Sequence, residues 1–150
     1  MSLPKAMDAE TADALQNALA AEHAAVWCSA LIVAFLPVEQ QGQARSDDQA
    51  HTTLRSRLEQ LLTQAGQRPV TAQPAYATPH PVTDGASASA LAVVAETDGL
   101  AAWRAVAERT ADQGLRQAAL TALTEGTLRC ARWRVVARMP PAIPVFPGQP

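Results

Sequence analysis

The apolar residues in the first third of the chain recur at spacings of three and four positions. This spacing places them on one face of a helix. The residues that share the face are Leu15, Leu19, Val26 and Val33. No proline interrupts residues 5–36, and proline would remove a helical hydrogen bond. The pattern therefore predicts a first helix over about 8–36.

The later proline-free spans predict three further helices. We place them over about 44–65, 85–109 and 113–138. The second helix is predicted to start at or shortly before Ser46 and to stop at Gly66. The predicted N-caps are Thr83 or Asp84 for the third helix and Asp112 for the fourth. No stretch alternates apolar and polar residues at period two, so no sheet is predicted.

The lengths of the connections predict the topology. The first and third connections are short and favour antiparallel helix hairpins. The second, RPVTAQPAYATPHPVT (68–83), is rich in proline. A helix of ~24 residues is ~36 Å long, whereas 16 extended residues reach ~50 Å. The linker can therefore cross a whole bundle. We predict an all-α, ferritin-like four-helix bundle over 1–139, with two antiparallel hairpins joined by a long crossover.

Residues 140–150, PPAIPVFPGQP, form a proline-rich tail that cannot be helical. We predict an extended strap on the bundle, anchored by Ile143, Val145 and Phe146. The alternative is a proline-rich ligand for a partner domain.

Composition narrows the classes of partner. Charged residues make up 17% of the 150 residues and the net charge is −2, which excludes a nucleic-acid binder that works through overall charge. Cys28 and Cys130 lie in apolar helical patterns and are predicted to be buried thiols. The longest apolar run, 24–38, is too short to span a bilayer and is ended by Pro37. These features predict a cytoplasmic protein without a membrane partner.

The first predicted helix carries a second apolar stripe, formed by Trp27, Leu31 and Phe35. A helix in a four-helix bundle needs only one such stripe. We therefore predict a homodimer through this helix. The crossover or the tail could instead cover the stripe within one subunit.

Acidic residues and a histidine on the predicted helices suggest a metal site. Ferritin-like di-metal proteins use one Glu from each of two helices and a Glu-x-x-His pair from each of the others. Glu22 lies on the apolar seam of the first helix, where a carboxylate is costly unless it is paired, protonated or ligating. The second helix supplies His51 with Asp47 or Asp48, and Asp48 has the acid-x-x-His spacing. Acids at a helix start are also explained by capping and the helix dipole.

The third and fourth helices supply weaker candidates. Glu96 and Asp98 border the buried face of the third helix, and either could turn inward. Glu125 is the candidate on the fourth helix, but Leu128 stands where the second histidine should be. The candidate metal ligands are Glu22, Asp48, His51, Glu96 and Glu125. The broken pattern argues against an intact di-iron centre and predicts no cofactor or a single Fe or Mn ion. Hydrogen-bonded buried acids are the alternative.

Four arginines lie in RCARWRVVAR (129–138). Their spread around the helix favours cations at a helix C-terminus over a nucleic-acid surface. The tryptophans Trp27, Trp103 and Trp133 are predicted to pack in the core or at its edge.

Five stretches of the sequence resemble those of a known family: ALQNALAAEHAAVW (14–27), residues 45–57, PAYATPHPVTD (74–84), LAVVAETDGLAAWRAV (91–106) and CARWR (130–134). The family is an uncharacterised bacterial family of ferritin-like domains. The resemblance covers nearly the whole chain and implies a four-helix bundle without a settled biochemical role. By position it implies that Glu22, His51 and Glu96 face inward, with a weaker match at Asp48 and Glu125. Leu128 departs from the metal-binding pattern and argues against ferroxidase or storage activity.

Three functions are compatible with this sequence. The first is a structural or interaction role on a degenerate metal scaffold. The second is a metal-dependent oxidoreductase with an altered carboxylate and histidine site. The third is a small-molecule binder that uses the cavity of the bundle.

Overall fold

Four helices account for most of the residues that the computed structural model describes, which are residues 6–150. They are α1 (Ala9–Phe35), α2 (Val38–Gln64), α3 (Gly85–Arg109) and α4 (Gln113–Val136). Helix α1 packs against α2 and α3, and α3 also packs against α4. No strand occurs among residues 6–150. The prediction of an all-α chain with four helices is confirmed.

Aspartate residues cap three of these helices. Asp8, Asp84 and Asp112 each accept a hydrogen bond from the backbone N–H three residues later. Such caps satisfy an N–H group that has no partner inside the helix. The predicted caps Asp84 and Asp112 are therefore confirmed. Gly66, with φ +74°, follows the end of α2 as predicted.

Helix α2 begins earlier than the sequence pattern predicted. It starts at Val38, directly after Pro37, and not near Ser46. The first turns of α2 show little apolar periodicity because Val38 is 77% exposed and the next residues are polar. Asp47 and Asp48 consequently lie well inside the helix. Capping and the helix dipole cannot explain them.

The core consists of two apolar clusters. One contains Leu15 and Leu19 of α1 together with Leu58 and Leu62 of α2 and Trp103 of α3. The other contains residues from all four helices, including Cys28, Ile32, Leu91, Cys130 and Trp133. Both cysteines are buried free thiols, as predicted. The core also encloses buried polar side chains, among them Glu22 and His23 on α1, Asp47 and His51 on α2, and Glu96 on α3.

Helix α1 is long and apolar enough to cross a membrane by length and composition alone. The core helix of a soluble protein passes the same test. Eleven residues of α1 are buried, and Glu22 and His23 are among them. Helix α1 packs against α2 and α3, and 39% of its most apolar 18-residue stretch is buried by this packing.

The crossover between α2 and α3 is held against α1. The side-chain amide of Gln16 donates to the carbonyl of Arg68 at 2.8 Å and accepts from the N–H of Val70 at 2.8 Å. Farther along, the rings of Trp27 and Tyr76 lie 5.9 Å apart. The crossover therefore covers part of the second apolar stripe on α1, whereas Phe35 remains 39% exposed. The homodimer through α1 stays a prediction.

The tail lies on the bundle, but not through its apolar side chains. Ile143 is 51% exposed, Val145 86% and Phe146 62%, so the predicted anchors are wrong. Hydrogen bonds from arginine side chains to backbone carbonyls hold the tail instead. Arg134 donates to the carbonyl of Pro141 at 2.7 Å, and Arg104 donates to that of Pro147 at 3.3 Å.

Gly148 allows the end of the tail to approach α3 closely. Its φ is +78°, and a Cβ atom there would lie 2.6 Å from the carbonyl oxygen of Leu100. We expect Gly148→Ala to release this part of the tail, because both the backbone conformation and the contact exclude a side chain. Amide hydrogen exchange over residues 142–149 should become faster. Gly42→Ala is the matched control, because Gly42 has nothing within 4 Å and should leave that exchange unchanged.

Candidate functional site

His51 of α2 lies between two carboxylates from two other helices. Its Nδ1 atom is 2.7 Å from Oε2 of Glu22 on α1, and its Nε2 atom is 2.9 Å from Oε1 of Glu96 on α3. The three residues are at most 5% exposed. Because a carboxylate only accepts hydrogen bonds, both ring nitrogens must carry protons. The imidazole is therefore a buried cation.

The surroundings favour this charged form strongly. Burial alone lowers the pKa of His51, but the hydrogen bonds and charges of Glu22 and Glu96 outweigh it and raise the pKa to about 10. A histidine in water titrates near pH 6.5. His51 consequently keeps its charge throughout the neutral range.

Arg129 of α4 contributes a second buried cation. Its Nε atom lies 3.1 and 3.2 Å from the two carboxylate oxygens of Glu96, and the residue is 8% exposed. Gly126, one turn earlier, leaves room for the guanidinium: a Cβ atom there would lie 3.3 Å from Nη2 of Arg129 and 3.0 Å from Leu100. The two carboxylates and two cations sum to zero formal charge.

Trp103 completes the hydrogen bonding of Glu22. Its indole Nε1–H donates to Oε1 at 2.8 Å, while Oε2 accepts from His51. The two oxygens of Glu96 accept from His51 and Arg129. Each carboxylate oxygen of this pair therefore has a donor, which is the condition under which buried charges are tolerated. We call the five residues Glu22, His51, Glu96, Trp103 and Arg129 the charge cluster.

Asp47 forms a second buried polar group one turn before His51. Its carboxylate accepts from Trp133 Nε1 at 2.8 Å, from Gln43 Nε2 at 2.8 Å and from Arg132 Nη2 at 3.2 Å. A cavity of about 20 Å³ lies beside Asp47, His51 and Trp133. That volume is enough for one water molecule.

The structure brings together only part of the predicted site. Glu22, His51 and Glu96 are in contact, and Glu96 rather than the exposed Asp98 faces inward. Asp48 is only partly buried, and its buried Oδ1 atom has no hydrogen-bond partner among the described residues. Glu125 is exposed, so its predicted inward orientation is wrong.

The register of α4 explains the error at Glu125. The buried positions of this helix are Ala119, Ala122, Gly126, Arg129, Cys130 and Trp133. They follow spacings of three and four, so Gly126 and Arg129 face the other helices, whereas Glu125 and Leu128 do not.

Sequence reasoning missed the donors of the two polar groups, which are Trp103 and Arg129 in the charge cluster and Gln43, Arg132 and Trp133 around Asp47. Arg129 was interpreted as a cation of the helix terminus, and Trp103 and Trp133 as packing residues only. The signal for Arg129 was its place on the same seam as Ala122, Gly126 and Trp133. His23, next to Glu22, is also buried: it is 5% exposed, and its Nε2 atom lies 3.0 Å from the carbonyl oxygen of Val70.

This donor set does not fit a metal ion. Both nitrogens of His51 point at carboxylates, so neither offers a lone pair to a metal. The guanidinium of Arg129 holds positive charge against Glu96, where an ion would have to bind. Within residues 6–150, no group of three or more His, Cys, Asp or Glu side chains is arranged to hold an ion.

The fold and the site define an all-α four-helix protein with a buried cluster of carboxylates and cations. Residues 14–150 match the sequence model of the family described as Domain of unknown function (DUF4439), and the chain belongs to that family. The fold is similar to the crystal structure of a conserved hypothetical protein, rv2844, from Mycobacterium tuberculosis. The two are 32% identical with a TM-score of 0.82, over 87% of this chain and 99% of that one. A comparison with curated proteins gives no match.

Proposed function

We propose that this chain is a cytoplasmic, ferritin-like bundle with a structural or interaction role, in which the charge cluster replaces a metal centre. In this proposal the helices form two antiparallel hairpins, because α1 and α2 are joined by only Leu36 and Pro37 and α3 and α4 by three residues. The crossover of residues 65–84 then joins the two hairpins.

The contact between Arg129 and Glu96 is the observation that carries the proposal. A di-metal site needs carboxylates that are free to bind an ion and imidazoles with a free lone pair. Here a guanidinium and an imidazolium supply the positive charge that metal ions would supply in a ferritin-like centre. The cluster is neutral and its carboxylates are fully hydrogen-bonded without an ion. The buried charges then act to hold α1, α2, α3 and α4 together.

Elemental analysis of protein purified without chelators tests the proposal. We expect far less than one equivalent of iron or manganese, and we expect the same melting temperature before and after chelator treatment. Added Fe²⁺ or Mn²⁺ should not raise the melting temperature.

Glu22→Ala provides the comparison for this measurement. We expect it to lower stability without changing the metal content. About one or two equivalents of iron or manganese in the wild-type chain, lost in Glu22→Ala, would instead support the metal-dependent oxidoreductase.

The geometry gives less support to a ligand inside the bundle. The cavity at the site measures about 20 Å³, whereas sites for small organic molecules typically measure roughly 300–1,000 Å³. We therefore place the interaction role on the surface of the bundle.

A further inference from the structure

Helix α4 carries apolar side chains on the face that points away from its packing partner, α3. Leu120, Leu128 and Val135 are 43%, 53% and 67% exposed. Their spacings of eight and seven positions place them on one side of the helix, opposite its buried residues. Exposed apolar patches of this kind are typical of interaction sites. We call this side the α4 outer face, and its members are Leu120, Thr121, Thr124, Leu128, Ala131 and Val135.

The rest of the chain leaves the α4 outer face open. The tail turns toward α3, where Arg104 holds the carbonyl of Pro147. Arg116 and Arg134, on the edge nearest the tail, donate to backbone carbonyls of their own chain. The three large apolar side chains of the face accordingly remain at least 43% exposed within residues 6–150.

Two opposite charges lie along the other edge of the α4 outer face. Glu125 is exposed, and the side chain of Arg132, seven residues later, is 48% exposed. The Nη2 atom of Arg132 lies 3.2 Å from Asp47, but a guanidinium has five N–H donors, so Arg132 can also bind an acid from outside the bundle. The midpoint between the two charges lies next to Leu128. The face is therefore apolar at its centre, with an acid on one side of the centre and a base on the other.

We propose that the α4 outer faces of two copies of this chain bind each other, with the helices antiparallel about a two-fold axis near Leu128. This proposal rests on the interaction role proposed above and names its partner. The axis brings Leu128 against the partner's Leu128, and Leu120 toward the partner's Val135. It also brings Glu125 beside the partner's Arg132, and Arg132 beside the partner's Glu125. The patch is thus complementary to itself, as a two-fold interface requires.

The order of the two charges selects this occupant and this orientation. An acid and a base on one edge of a helix match the same edge of an antiparallel copy, so both charges of each copy gain a partner. In a parallel pair, equal heights lie side by side, and Glu125 would be ~10 Å along the axis from the partner's Arg132. A single pair of helices is a small interface, so we expect a weak dimer with a dissociation constant in the micromolar range.

Disulfide formation between copies tests the position of the axis. We expect Leu128→Cys to form a disulfide-linked dimer under mild oxidation, because the axis brings residue 128 close to its symmetry mate. Val135→Cys is the matched control: this position is more exposed, but its symmetry mate lies ~20 Å away along the helices. Cys28 and Cys130 are buried, so the wild-type chain gives the background. Cross-linking of Val135→Cys as fast as that of Leu128→Cys would overturn the proposal.

Sedimentation equilibrium of the full chain measures the strength of the contact. We expect the wild-type chain to self-associate and Leu128→Ser to weaken association by at least about tenfold. Leu128 is more than half exposed in a single copy, so circular dichroism and melting temperature should stay unchanged at low concentration. Phe35→Ser, on α1, is the control and should associate like the wild type. A wild-type chain that stays monomeric at several hundred micromolar would contradict the proposal, and so would association that only Phe35→Ser weakens.

Reversal of one charge tests the antiparallel pairing. Glu125→Arg places two arginines together at each of two symmetric positions, so we expect association at low salt to weaken by at least about fivefold. Glu39→Arg makes the same change in net charge at an exposed position of α2 and should retain the wild-type affinity. Equal weakening by both variants would indicate an effect of net charge and would contradict the pairing. None of these outcomes depends on metal content, so this proposal and the metal-free cluster can fail separately.

Discussion

The free energy of unfolding is expected to fall by roughly 2 kcal/mol between pH 6.5 and pH 8.5, because His51 holds its proton in the fold and loses it when the chain unfolds. The pKa of His51 rises from 6.5 to about 10 in the fold. The stability that this shift contributes is complete below pH 6.5 and is lost as pH rises toward 10. The unfolded chain binds about half a proton fewer at pH 6.5 and one proton fewer at pH 8.5, so the slope steepens from about −0.7 to about −1.4 kcal/mol per pH unit.

Urea denaturation at half-unit pH intervals measures this slope. The measured pH range ends below pH 9.0. Burial raises the pKa of the Cys28 and Cys130 thiols above that value, so these thiols add a second loss of stability at higher pH. His51→Gln should remove the slope together with the imidazolium. His80→Gln, in the exposed part of the crossover, is the control and should retain it. A flat profile for the wild-type chain would contradict the assignment of a buried imidazolium.

The helices were predictable where local chemistry marks their ends. Asp84, Asp112 and Gly66 are caps or stops that act within a few residues of sequence, and the structure uses all three. The start of α2 has no comparable signal in its apolar pattern, because the residues of its first turns are mostly polar. Pro37 supplied the only local signal there, since its fixed φ suits a residue at a helix start.

Three members of the charge cluster were predictable for a different reason. Glu22, His51 and Glu96 each interrupt an otherwise apolar helix face, and a buried polar group needs a partner. The partners could not be deduced in the same way. In the alanine-rich helix α4, several faces have similar hydrophobicity, and close packing of Gly126 against Leu100 selects the buried one.

Tertiary packing also explains why the sequence pattern of Arg129 is typical of a surface cation. Arg129 belongs to a run of arginines near a helix C-terminus, where exposed cations are common. Its place on the buried face with Ala122, Gly126 and Trp133, opposite Glu96, distinguishes it from Arg132 and Arg134. The composition of the charge cluster therefore depends on tertiary packing. Tertiary packing also decides between a metal centre and a neutral set of charges.

Arg129→Met is expected to lower the free energy of unfolding by about 3–5 kcal/mol, the usual cost of removing one partner from a buried ion pair. The substitution leaves Glu96 buried with one cation to share with Glu22. Methionine has a similar length and can fill the space next to Gly126, so packing loss should be small. Arg132→Met is the matched control: this arginine binds Asp47, but its side chain is 48% exposed, and the expected loss is about 1 kcal/mol or less.

A double-mutant cycle separates the charge from the packing. Glu96→Gln removes the negative charge that Arg129 neutralises, while its amide oxygen can still accept from His51. In the double variant Arg129→Met with Glu96→Gln, the remaining charges of Glu22 and His51 cancel. We therefore expect the double variant to be more stable than Arg129→Met alone, with a coupling energy of at least about 2 kcal/mol. If the two costs simply add, the guanidinium fills space without neutralising Glu96, and the cluster does not act as the electrostatic substitute for a metal centre.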